Sequence, residues 1–591
     1  MKKRFVIAVL LTAVCAVGLY SAGCSKNNEE NQAENKAERK AENKTEEVRI
    51  AVANLVPEST EFMLKTASIE KMYSLFSVNG TGIMGSPVKD AEEMKRKWGF
   101  NPLVLDELRA NGFDTAKEIG LAADNIRWQE NGGDPLVDCL ILVPVTDGKK
   151  AMAAVERYIL NDKPGTVFEK ANDISIFRYP DNTLHGSMAE KEKYLFVAFN
   201  RKSEVSGFMT QVLQSTKPVK DTVSYQDVIS RTDAAKDIFL YANFGKIAKN
   251  NYETLKKISQ KEGQTPGLNR HLDYFKDYEG AGISVDGSQK DLRVAGLLNV
   301  REGSDLMKIS QNIRFSKQTV LGLAKSPALL LTSAVNFQEY YRIMQEVMNP
   351  EEKTAWQNTL SEFRNRYGVD GEKDILSNIE GNFNLGIYDG KSINMSNYNL
   401  LATLGIKDGK KMQTVMDTMY QSLKPEEKVM IRKDSIQGND AYVITVMGIF
   451  QICAGVKDST FILALGYPMF EAAVSGNPDT GFISRIEDKE LATQLKADTG
   501  VFYVNMQEVH AAMSNFPFLL QQMNEGQPGD PAKSLDAMRQ IEYLLLSTGT
   551  QGKSFSMDMT VKTRFSEPFF QGMGKLSEQM KPAANPAPGT E

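Results

Sequence analysis

The sequence Asp-Gly-Lys-Lys occurs twice, at Asp147–Lys150 and Asp408–Lys411, each time between an apolar run and apolar residues at helical spacing. A helix N-terminus presents unpaired N–H groups and the positive end of the helix dipole, so paired lysines at such a point are suited to holding an anion. The structural alternative is that each aspartate caps its helix and the lysines are solvated on the first turn. We carry that alternative forward.

Other residues of types that do chemistry are poorly spaced for it. His185, His271 and His510 are scattered, and neither a His-Glu-x-x-His nor a Cys-x-x-Cys pattern is present. Gly386 to Ser392 and Gly549 to Ser554 imitate phosphate loops, but have too few residues between glycines and precede strands; they read as hairpin turns. Placing Gly371 at the sixth position of a calcium loop puts Arg366 first and Ser377 twelfth, where carboxylates are required. No Gly-x-Ser-x-Gly elbow occurs. The 26 methionines, such as Met412, Met416 and Met419, fall at core-like spacing. We expect no catalytic residue, no enzyme, no metal and no cofactor. Acidic pairs assembled only by the fold stay open.

With 591 residues, 41% apolar and 25% charged, the chain can build several ordinary cores. A formal charge of -5 gives no basis for nucleic-acid binding.

The N-terminus carries an address. Met1-Lys-Lys-Arg4 is basic, Phe5 to Val17 is apolar, and Ser21-Ala-Gly-Cys24 supplies small residues ending on a cysteine. That apolar run is shorter than the about 20 residues a membrane-spanning helix needs. The segment resembles a bacterial lipoprotein signal, with Ser21 where leucine is commonest. The resemblance implies that residues 1–23 are removed and that Cys24 is lipidated as the mature N-terminus. By the same resemblance, Ser25 after the cysteine favours the outer membrane. Residues 24–47 repeat Ala-Glu-Asn/Arg-Lys with no large apolar residue and read as a disordered polar tether. Its coil span is about 25 to 30 Å. Residues 576–591 read as a disordered tail. Cys139 and Cys453 sit in apolar runs and read as buried free thiols, the alternative being a disulfide between them in an oxidising compartment.

The remaining landmarks recur in one order at an offset of about 256 to 266 residues: Gly112-Phe-Asp114 with Gly368-Val-Asp370, Tyr194–Phe199 with Phe461–Leu465, and Tyr241-Ala-Asn243 with Tyr503-Val-Asn505. Ser68, Asn243, Asn336 and Asn505 each close an apolar strand and open a helix, as N-caps do. Glu339 and Glu508 stand where a capping box needs a glutamate. These patterns predict an α+β fold of two tandem homologous halves, 48–311 and 325–575, each a mostly antiparallel sheet with helices packed on one face.

The whole plan resembles uncharacterised bacterial envelope lipoproteins of unknown function. It implies a lipid-anchored envelope protein, its body in the periplasm or at the cell surface, with a non-enzymatic binding or scaffolding role. Its partners would be the membrane, through lipid at Cys24, and an unknown envelope protein or apolar ligand. The alternatives are a periplasmic carrier of an apolar ligand such as lipid, and an envelope hydrolase with dispersed acidic residues.

Overall fold

The computed structural model describes residues 51–76, 88–130, 135–181, 184–200, 205–261, 274–311, 313, 315–393, 399–446, 450–477, 479–515 and 531–580. The expected signal, tether and Cys24, together with His271, lie outside them. By contact the described residues divide into two compact units, one holding 51–301 together with 565–575, the other holding 302–564 together with 576–580. The division therefore falls earlier than the expected end of the first half at 311, and a closing segment expected in the second half belongs with the first.

The first unit contains β1 (Phe62–Thr66), β2 (Ile119–Arg127), β3 (Leu136–Pro144), β4 (Val167–Ala171), β5 (Ile174–Arg178), β6 (His185–Lys191), β7 (Tyr194–Asn200), β8 (Ile238–Ala242), β9 (Tyr278–Asp286) and β10 (Leu292–Val300). Every pairing among these strands is antiparallel, and the order is 4-5-6-7-3-2-1-8-9-10. The second unit contains β11 (Pro327–Ala334), β12 (Ile379–Tyr388), β13 (Leu400–Ile406), β14 (Ile431–Ile436), β15 (Asn439–Val446), β16 (Phe450–Lys457), β17 (Thr460–Leu465), β18 (Gly500–Asn505), β19 (Ile541–Gln551) and β20 (Ser554–Thr563). Its order is 14-15-16-17-13-12-11-18-19-20, the same path ten strands later. The fold class is α+β with antiparallel sheets, as the sequence predicts.

The helices used below are α1 (Ala51–Leu55), α2 (Gly148–Asp162), α3 (Val205–Gln214), α4 (Gln318–Leu321), α5 (Phe337–Val347), α6 (Pro350–Tyr367), α7 (Gly409–Ser422), α8 (Tyr467–Ser475), α9 (Met506–Ser514) and α10 (Phe569–Met580). Where one covered face was expected, the central strands are covered on both. Leu140 and Leu142 of β3 with Phe196 and Ala198 of β7 pack on Phe208, Met209 and Val212 of α3. Their neighbours Ile141, Val143, Leu195 and Val197 meet Ala151, Ala154 and Ile159 of α2 on the opposite face, since successive strand residues point opposite ways. The second unit does the same with α8 against Leu401 and Ala464, and α7 against Ile406 and Phe461. Residues from Tyr194 to Ala198 are consequently all buried, so β7 reads as a continuous apolar run rather than an alternating one.

Residues 576–580, expected in the tail, continue α10 as helix, and Leu576 is buried. Asp286-Gly287 and Gly549–Ser554 lie at β9–β10 and β19–β20 hairpins, as their composition suggests. No helix among the described residues is long and apolar enough to cross a membrane.

Candidate functional site

The twice-written motif is a cap. Asp147 accepts the Lys150 N–H and opens α2; Asp408 accepts the Lys411 N–H and opens α7. The glycine between has a packing reason. A Cβ on Gly148 would lie 1.8 Å from a Glu190 carboxylate oxygen, and one on Gly409 would lie 1.8 Å from the Asp458 carbonyl oxygen. Each helix thus starts against a strand or turn of the second hairpin after it, β6–β7 in one unit and β16–β17 in the other. Gly112 and Gly368, both at positive φ, turn the chain so that Phe113 and Val369 enter the cores beside α2 and α7.

The four Ser/Asn caps also hold: Lys71 N–H to Ser68, Lys246 N–H to Asn243, Glu339 N–H to Asn336, and both Gln507 and Glu508 N–H to Asn505. The reciprocal glutamate arm does not form at two of them. The Glu339 carboxylate takes the Arg342 guanidinium at 2.8 Å, and Glu508 accepts the Gly390 N–H at 2.8 Å. The capping box proper lies at Asn349 and Glu352, opening α6.

Cys139 and Cys453 are free thiols, half-buried and buried respectively. Burial pushes the Cys453 thiol up to about 11 and also raises Cys139, where the charge of Asp138 adds to the rise. His510 accepts from the Arg539 guanidinium at 3.0 Å, while His185 begins β6. Among the described residues, no group of three or more His, Cys, Asp or Glu is placed to hold a metal ion.

Two features escaped the sequence reading. In the first unit, Lys65 on β1 is buried and its Nζ lies 2.6 Å from Glu118. The other Glu118 oxygen accepts the Val52 N–H at the start of α1. The second unit keeps the geometry and drops the charge. Register places Thr332 where Lys65 stands, since Lys65 pairs with Gly120 and Phe239, and Thr332 with Asn384 and Val501. Asn382 then accepts the Ser316 N–H shortly before α4. One carboxylate oxygen thus does work common to both units, and the Lys65 pair is an addition to it. Burial, with the Glu118 charge adding to it, raises the phenols of Tyr194 and Tyr225.

The second feature is a cleft of about 340 Å³ in the second unit, between α5 and α6. Although α6 runs for 18 residues, it has no buried side chain. It rests on its unit through partly buried Phe363 and the Arg366–Glu427 pair, and is joined to α5 through Tyr341, whose oxygen accepts the Trp356 indole N–H at 3.1 Å and the Gln345 amide at 2.6 Å and donates to Glu372 at 3.1 Å. These contacts fill the hydroxyl's donor and acceptor capacity. Partial burial pushes the Tyr341 phenol up, the Trp356 N–H opposes that, and Glu372 adds to it, so the hydroxyl keeps its proton at neutral pH. Glu372 comes from the 371–375 turn that failed as a calcium loop. Arg342 lines the cleft while engaged by Glu339, Glu346 and Asp305. Burial tends to raise Asp305, and the hydrogen bonds from Lys308 and Arg342 together outweigh it and hold it below the ordinary value.

The first unit uses its corresponding stretch differently. Between β1 and β2, Trp98 stacks on Tyr158 at 4.7 Å and meets Phe113 edge-on, joining the core beside α2. A wider trough of about 770 Å³ in that unit is lined by residues such as Glu58, Gln211 and Lys217, and no aromatic side chain among the described residues lines it.

Residues 118–556, spanning most of both units, match a family described as protein of unknown function (DUF3352). The chain belongs to that family. A DUF3352 match of this extent takes in β2 to β10 of the first sheet, β11 to β19 of the second and the α5–α6 cleft. A search of curated proteins returns no match. Solved structures of crystal forms I, IV and III of TP0453 resemble 42% of this chain at 8%, 9% and 8% identity, over 77%, 79% and 80% of their own lengths, each with a TM-score of 0.23. A likeness that slight carries no inference.

Proposed function

We propose that this DUF3352 protein is a lipid-anchored envelope protein with a non-enzymatic binding role, built by duplication of one ten-strand unit. In this reading Cys24 carries the lipid, residues 25–47 are the tether, and the α5–α6 cleft is the binding surface. The observation that carries the binding role is α6 itself. A helix of 18 residues with no fully buried side chain gives its core only the partly buried Phe363, yet it is held by the Arg366–Glu427 pair and by Trp356 in a saturated Tyr341 network. Such rigidity serves a surface that must keep its shape. Both cleft carboxylates are engaged, Glu346 by Arg342 and Glu372 by Tyr341, which favours binding over hydrolysis. The charged rim disfavours an apolar ligand.

Two measurements test it. Radiolabelled palmitate should enter the full chain and not Cys24→Ala, and equal labelling of both removes the anchor. A photocrosslinking amino acid in place of Gln357, in intact cells, should give a discrete adduct that the same substitution at exposed Glu169 does not. Identical patterns from the two positions would sink the cleft as a binding surface.

A further inference from the structure

We propose that the α5–α6 cleft takes a neutral saccharide, one pyranose ring lying against Trp356; this rests on the cleft being a binding surface at all. The Trp356 N–H is already spent on Tyr341, so the indole has no donor left and offers a ligand only its ring. The π-face of an aromatic ring carries negative potential. It complements the weakly positive C–H face of a pyranose, which a peptide or an acyl chain presents less regularly. Around the ring stand groups that read hydroxyls: the Arg342 guanidinium, the Glu346 and Glu372 carboxylates, and the Gln357 amide. Amide and carboxylate groups offer acceptors, and amide and guanidinium groups donors, in planar forks that match neighbouring hydroxyls.

Charge argues for neutrality. Arg342 and Lys353 are balanced on the cleft lining by Glu346 and Glu372, and Arg342 is further engaged by Glu339 and Asp305 outside it. A phosphate at Arg342 would meet the carboxylates of Glu339, Glu346 and Asp305 that already surround it. A volume of about 340 Å³ lies at the lower end of the about 300–1,000 Å³ typical of small-molecule sites, which suits one sugar ring seated in the cleft with the rest of the saccharide outside it.

Isothermal titration of the full chain in detergent, with tri-N-acetylchitotriose and with maltotriose as probes, tests this. We expect saturable binding of at least one. Trp356→Ala should weaken it by about tenfold or more, equivalent to about 1.4 kcal/mol, and Trp356→Phe should recover part of it. Glu169→Ala on the first unit should leave it unchanged. Circular dichroism of each variant reports folding, and Trp356→Phe keeps the test alive if the alanine variant unfolds. Failure of both probes to bind, or binding unaltered in Trp356→Phe and Trp356→Ala, overturns the saccharide. If the Gln357 photocrosslink still forms an adduct while neither sugar binds, the saccharide falls and the binding surface stands. If both fail, both fall.

Discussion

At the scale of single residues, Lys65 and Glu118 are the sharpest difference between the two units. An ion pair taken out of water gains little net stability, but removing one partner leaves a buried charge uncompensated, at a cost of about 3–5 kcal/mol. Lys65 has a side-chain exposure of 1%, so its partner has no solvent to replace it. Lys65→Met should therefore lower the urea midpoint strongly. Adding Glu118→Gln should recover more than half the loss, because a glutamine oxygen still accepts the Val52 N–H, as Asn382 accepts Ser316 in the second unit. If the double variant is as unstable as the single one, the damage lies in packing around β1 and not in the stranded charge.

At the scale of elements, each repeated glycine tests how its helix is seated. Gly409 faces the Asp458 backbone, which cannot move without distorting the β16–β17 turn, whereas Gly148 faces the end of an exposed Glu190 side chain. Gly409→Ala should cost about 1–3 kcal/mol, the usual price of overpacking. Gly148→Ala should cost no more than about 0.5 kcal/mol, because Glu190 can swing away. Thermal unfolding of the two variants decides it, and equal costs would show that the hairpins do not seat the helices. The same motifs mark how far the sequence could be read. Asp147, Asp408 and the four Ser/Asn caps were legible because a cap is a contact across three residues. Asp458 against Gly409 was not, because the contact spans distant chain. Glu339 and Glu508 misled because Arg342 and Gly390, neither visible in the box pattern, claim their carboxylates. The α+β class followed from apolar runs and turns, while the 4-5-6-7-3-2-1-8-9-10 order depends on pairings such as β1 with β8 that no local pattern encodes. Nor could the cleft be found, since Tyr341, Trp356 and Glu372 come from three elements, and only α6 lacking a buried face hints at it.

At the scale of the whole molecule, one late segment of the chain belongs with the first unit. Residues 565–575 belong by contact to the first unit although they follow the second. Phe569 donates its N–H to the Gln289 carbonyl at 2.8 Å in the β9–β10 turn, and Phe565 and Phe569 are 9% and 7% exposed. Burying a phenylalanine contributes about 1.5–3 kcal/mol, so this strap is a material part of the first unit's stability. A chain stopped after Arg564 should therefore weaken the first unit more than the second. Hydrogen exchange followed by peptide mass spectrometry reads the two separately. Peptides from β9 and β10 should lose protection, and those from β11 to β18 should keep theirs. Phe569→Ala in the intact chain should reproduce the pattern at a cost of about 3–5 kcal/mol. Loss confined to residues 327–563 would place the strap's stabilising role in the second unit. The same loss in both would make the two units a single cooperative structure, in which stability lost at the chain's end is felt equally along all of it.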